Sequence, residues 1–140
     1  MTAPERQAYI DDMVRRRGYV LDYHKVMARQ DWDVLVATND LVDACYLRER
    51  TLDRKTKELL FVLSLVVLRA GKEHIKSHIR VALEVGASAQ EILEAIEIAL
   101  PEAGVVAFQH GFECWNEIVG AEGIEPTIDP QQAARELSTG

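Results

Sequence analysis

Residues Leu59 to Leu68 carry no charge and a single hydroxyl, Ser64, and this run constrains the fold more than any other feature of the chain. A charged helix start, Asp53-Arg54-Lys55-Thr56-Lys57-Glu58, leads into it. The Ala70-Gly71 break follows, and then a new helix carrying His74 and His78. A helix that is apolar all round has no face for water, so protein or lipid must enclose it. The run is far shorter than the about 20 residues needed to span a bilayer. Enclosure by protein is therefore expected, with two of the chain's 4 histidines at the far end of the run. The pattern implies a buried polar site inside an all-helical, oligomeric protein.

A length of 140 residues with 48% hydrophobic content suits one domain, residues 1–140, with an ample core. The formal charge of −7 comes without any basic stripe, which excludes nucleic acid and anionic membrane as main partners. Cys45 and Cys114 lie far apart and form no CxxC pair. No signal-type apolar segment follows Met1, so the expectation is a reduced, cytoplasmic protein with free thiols.

Helical signals run the length of the chain. Thr2-Ala3-Pro4-Glu5 opens a first helix that reaches Arg17 and stops at Gly18. Val20 to Gln30 reads as a second, and Asp31 or Asp33 caps a third, where Trp32, Leu35, Val36, Leu41, Val42 and Cys45 keep helical spacing. The fourth carries the apolar run from near Asp53 to about Arg69. The fifth, Lys72 to Val85, ends at Gly86, a residue suited to a left-handed C-cap. Ser88-Ala-Gln-Glu91 is a capping box for a sixth helix reaching about Leu100, with Ile92, Leu93, Ile96, Ala99 and Leu100 inward. Pro101 is expected to break or kink it. A seventh, Val105 to Val119, lines up Phe108, Phe112, Trp115 and Val119. The polar segment from about 121 to 140 reads as a mobile tail.

On the fifth helix Glu73, Lys76, Ser77, Arg80 and Glu84 mark the wet face, so His74 and His78 project to the apolar side. Residues four apart on a helix are neighbours, their Cβ atoms roughly 5–6 Å apart. Such a pair can present two nitrogens to one metal. Alternatively, one imidazole exchanges a proton while the other orients it or binds a carboxylate. Equally open is a bland reading in which each histidine is hydrogen-bonded to a carbonyl or an acid. His110 shares a stripe with Ala103, Val106, Ala107 and Cys114, small side chains that permit close helix approach. It is either a third site residue or a packing histidine. His24 has no comparable context and reads as structural or surface. Glu58, the last charge before the apolar run, is either a buried carboxylate needing a cationic partner or a surface partner of Arg54 or Lys55. Trp32 and Trp115 read as core or subunit-contact anchors.

The segments Leu52-Asp53-Arg54-Lys55-Thr56-Lys57-Glu58-Leu59, Ser77-His78-Ile79-Arg80-Val81-Ala82-Leu83 and Gly86-Ala87-Ser88 with Glu91-Ile92 together resemble the carboxymuconolactone decarboxylase family. Ala103-Gly104-Val105-Val106-Ala107-Phe108 is similar to that family's glycine-containing turn. The likeness covers about residues 31–119. It implies an all-α, alkyl hydroperoxidase D-like bundle of about six to seven helices, assembled as a homotrimer or homohexamer. His78 matches the family histidine and Glu58 the family glutamate, one residue further apart than the usual pattern. The peroxidase branch places a CxxC just ahead of that histidine. Here those positions are Gly71 and His74, so no thiol is available there to attack peroxide.

The resemblance implies a lyase with no cofactor, acting on a small acidic metabolite in the breakdown of aromatic compounds. In that reading His78 donates a proton, His74 binds a carboxylate or oxyanion as imidazolium, Glu58 orients a histidine and His110 closes the site. Two other classes stay open: a metal-dependent enzyme built on His74, His78 and His110, and a non-catalytic helical assembly or ligand-binding protein.

Overall fold

The computed structural model describes residues 1–120 together with Gln131, Arg135, Leu137 and Ser138. The described residues form α1 (Ala3–Arg17), α2 (Asp22–Gln30), α3 (Trp32–Val42), α4 (Arg54–Val67), α5 (Lys72–Glu84), α6 (Ala89–Glu97), α7 (Ala99–Ala103) and α8 (Val105–Val119). Between α3 and α4, Asp43–Leu47 makes one π-helical turn. No strand occurs among the described residues, so the fold is all-α as expected. The expected tail, about 121–140, lies almost entirely outside those residues. No helix among them is long and apolar enough to cross a membrane.

The helix starts follow local chemistry. Thr2 Oγ1 accepts from the Glu5 amide while Glu5 returns to the Thr2 amide, and Ser88 and Glu91 repeat this at α6. Asp53 caps α4 by accepting from the Thr56 amide. Gly18, at φ 86°, ends α1 in the left-handed region.

The Ala70-Gly71 break falls between α4 and α5 as expected, whereas the break expected at Pro101 lies elsewhere. At the α4–α5 junction the left-handed residue is Arg69, at φ 55°, while Gly71 has an ordinary φ of −56°. The sixth helix breaks at Ile98 rather than at Pro101. Pro101 therefore falls in the first turn of α7, where a missing N–H leaves no helical bond unmade. Leu100, expected inward, is exposed.

α4 is the hub of the larger core. Val62, Leu65 and Val66 meet Ile75, Ile79 and Ala82 of α5, Ile92 and Ile96 of α6, Ala99, and Cys114 of α8. α8 approaches α4 at Gly111, where an added Cβ would lie 2.6 Å from Val66 Cγ2. Close approach on α8 is thus carried by buried Ala107, Gly111 and Cys114. A second, smaller cluster joins the first three helices through Ile10, Met13, Ala28 and Leu35, with Tyr9 and Trp32 against it. Trp32 is thereby a core anchor, its ring edge-on to Tyr9 at 4.8 Å. Trp115 packs on the main core and donates its indole N–H to Ala89 O.

The apolar run is not fully enclosed by one chain. Val62, Leu65 and Val66 are buried, yet Leu60 and Leu68 point outward with Ser64 between them.

Candidate active site

Glu58 of α4 and His78 of α5 meet between these two helices. Both side chains are completely shielded from solvent, and His78 Nδ1 lies 3.0 Å from Glu58 Oε2. Helical spacing explains the burial. Glu58 shares its stripe of α4 with Phe61, Val62 and Leu65, and His78 shares its stripe of α5 with Ile75 and Ala82. Burial pushes the Glu58 carboxyl above its usual range, and the bond to His78 opposes that rise.

The imidazole is held on several sides. Phe61 stacks on it at 4.2 Å and 7°. The edge of Tyr19 stands 4.6 Å away, Tyr46 lies at 6.3 Å, and the His74 ring is 5.3 Å distant. Among the described residues, buried His78 Nε2 has no hydrogen-bond partner, and neither has Glu58 Oε1. With Glu58 ionised, Nδ1–H donates to Oε2, which fixes the tautomer and leaves Nε2 free to take or give a proton.

Arg54, one turn before Glu58, approaches Oε1 at 3.6 Å, too long for a hydrogen bond. Its guanidinium lies over the Tyr46 ring and donates to the Tyr46 hydroxyl and the Arg17 carbonyl. Sequence reading offered a surface Arg54–Glu58 pair as one alternative; the contact exists, with the carboxylate fully buried. Tyr46 reaches this position from the π-helical turn, where the Arg48 amide donates to Asp43 O. Such turns are rare and often occur at functional sites. Outside Arg54 and Tyr46 opens a cleft of about 280 Å³ also lined by Arg48, Arg50 and Lys57.

His74 is partly exposed, and burial together with nearby His78 lowers its pKa, so it is a poor imidazolium near neutral pH. His110 stands apart. Its Nε2 is 2.8 Å from Ala70 O, so the ring ties α8 to the α4–α5 turn. Among the described residues no three His, Cys, Asp or Glu side chains are grouped so as to hold a metal ion. The trio His74, His78 and His110 is therefore not assembled as a ligand set. Cys45 is exposed and Cys114 buried, both free.

His24, read as structural or surface, is buried. Its Nδ1 accepts from the Leu21 amide, closing the first turn of α2. Burial and nearby Arg17 push its pKa down to about 4. Arg17 itself is 3% exposed and donates to Asn39 Oδ1. Sequence reading names Arg54 beside Glu58 but not Arg17, Tyr19, Tyr46 or Phe61 as site neighbours. For Arg17 the signal was present: Ile10, Met13 and Arg17 share one face of α1, and all three are buried.

The arrangement can hold a proton on a fixed imidazole backed by a carboxylate, within a wall of aromatic rings. The carboxymuconolactone decarboxylase family model matches residues 33–117, a stretch that contains Glu58, His74 and His78. Comparison with curated proteins finds no match. By that family match over most of its length, the chain belongs to the carboxymuconolactone decarboxylase family.

Proposed function

We propose that this chain is a cofactor-independent lyase that decarboxylates a small carboxylated lactone or keto acid. Loss of CO2 beside an activated carbonyl leaves an electron pair as an enolate. The carbon–carbon bond to the carboxylate breaks, its electrons move into the enolate, and a proton must then reach the adjacent carbon. His78 Nε2 supplies that proton, and Glu58 Oε2 holds Nδ1–H so that the charged ring is stabilised before transfer. The supporting observation is the buried Glu58–His78 bond, which leaves Nε2 without a hydrogen-bond partner among the described residues. Family membership supports decarboxylase-like or alkyl hydroperoxidase D-like chemistry. Gly71 and His74 at the two cysteine positions favour the former.

The test is His78→Gln, which keeps size and hydrogen-bonding capacity but cannot exchange a proton near neutral pH. Turnover should fall by about 10²–10⁴ with helicity and melting temperature close to wild type. Turnover comparable to wild type would remove His78 from the proposed role.

A further inference from the structure

Arg17 is a buried guanidinium without a counter-charge. Its side-chain partners are neutral: Nη2 donates to Asn39 Oδ1, and Nη1 lies 3.4 Å from His24 Nε2. His24 does not satisfy it, because Nδ1 already accepts from the Leu21 amide and neutral imidazole then carries its proton on Nε2. Arg17 Nε is buried with no hydrogen-bond partner, and no carboxylate pairs with the side chain among the described residues. An unpaired charge sealed from water is costly unless something supplies the opposite sign.

The surroundings set where that supply belongs. Tyr19 interacts with Arg17 through its hydroxyl and stands edge-on to His78. Arg54 donates to the Arg17 carbonyl, linking the end of α1 to the element that carries Glu58. Gly18 permits this closeness, since an added Cβ there would lie 3.0 Å from Val81 Cγ2 on the His78 helix. Two carboxylates lie nearby: Glu58 faces Arg54 at 3.6 Å, and Glu84 Oε2 reaches the Gly18 side of α1, 3.4 Å from where a Cβ would stand, without pairing with the Arg17 guanidinium among the described residues. Among the described residues Arg54 Nε, like Arg17 Nε and the more distant Arg6 Nε, has no hydrogen-bond partner.

The geometry points to Arg17 as the seat of the substrate's carboxylate, with Nε as the donor awaiting it and the reacting carbon lying toward His78 Nε2. This rests on the proposed lyase reading and deepens it. It moves anion binding from His74 to a residue that lies ahead of the family-matched stretch 33–117. Arg17 would then be a specificity-determining residue that the family pattern does not contain.

The experiment is titration of the full chain with acetate, malonate, succinate and glutarate, with succinamide and inorganic phosphate as separate arms. The readouts are melting temperature and the assigned Arg17 Nε–H resonance. At least one carboxylate should raise the wild-type melting temperature and move the Arg17 Nε–H signal downfield, while succinamide does neither. Arg17→Met should weaken that affinity by roughly 10–100-fold, and Arg17→Lys by less. No carboxylate shifting the Arg17 signal, or equal affinity in Arg17→Met, overturns the inference. So does a response to phosphate alone. The wild-type resonance decides even where a variant fails to fold. Binding is read without turnover. Carboxylate binding through Arg17 in a protein with no lyase activity would sink the reaction while leaving the seat. His78-dependent turnover without Arg17 binding would do the reverse.

Discussion

Glu58 Oε2 sits 3.0 Å from His78 Nδ1 with both side chains closed off from solvent, so the protonation of either one depends on the other. The two residues are twenty positions apart on adjacent helices, and the contact clamps α4 to α5. Glu58→Gln keeps an acceptor for Nδ1–H but removes the charge that steadies the imidazolium. It should remain folded and lose about 10–100-fold in turnover, the usual size for an orienting partner. Glu58→Ala removes the acceptor altogether and should destabilise the protein by about 3–5 kcal/mol in urea titrations. Wild-type turnover in Glu58→Gln would show that the carboxylate is only a packing element.

Gly111 tests how tightly α8 is seated on α4. A Cβ there would meet Val66 Cγ2 at 2.6 Å, Val66 Cγ1 at 2.8 Å and Ile96 Cγ2 at 3.1 Å. Val66 and Ile96 are both fully buried and have nowhere to yield. Gly111→Ala should therefore cost about 1–3 kcal/mol by overpacking, despite alanine's better helix propensity. Adding Val66→Ala should recover part of that loss, so the double variant is more stable than the sum of the singles. Additive losses in chemical denaturation would refute the contact.

Much of this fold is legible locally. α8 runs Val105–Val119 as its periodicity and flanking glycines indicate, and the capping box at Ser88 and Glu91 marks the start of α6. Where local cues misled, a second local option existed: Pro101 fits a helix first turn as readily as it ends a helix. The site is less legible. Only the family likeness connects Glu58 to His78, because helix spacing relates residues within one element and says nothing of partners across two. His110 shows the limit plainly. Its stripe of small residues identified a close approach, but the ring serves Ala70 O at the α4–α5 turn rather than His78. Tyr46 depends on a π-helical turn that no spacing rule anticipates, and Arg17 on a face count along α1 that hydrophobicity alone obscures.

His24 gives stability a pH dependence of definite sign. Its folded pKa is lowered to about 4 from 6.5, chiefly by burial and then by Arg17. Below pH 6.5 the unfolded chain binds a proton that the folded one refuses until about 4, so stability falls as pH drops through that window. The full shift is worth at most about 3 kcal/mol. His74, also lowered, adds to the same trend; Glu58, raised above 4.5, opposes it as pH falls toward that value. His24→Asn keeps an acceptor for the Leu21 amide without the titration. Comparing urea midpoints at pH 7 and pH 4.5, the variant should lose less stability than wild type. An equal loss in both would show that His24 does not carry the effect.

Leu60 and Leu68 share the outer face of α4, two turns apart, and Leu68 is 74% exposed. At the start of α8, Val105 and Val106 are also exposed, Val106 to 64%. Monomeric soluble proteins rarely leave large apolar side chains uncovered in number. The Leu59–Leu68 run demanded enclosure, and one chain covers only its inner side. A second copy of the chain is the proposed cover, in a homotrimer or homohexamer. Light scattering at low micromolar concentration should therefore give three or six times the 15.8 kDa chain mass. Leu60→Glu with Leu68→Glu places charge on that face without touching the core, and should yield a folded species of 15.8 kDa. A wild-type mass of 15.8 kDa would leave these leucines in water and end the oligomer reading. An oligomer unchanged by both glutamates would move the interface to another face.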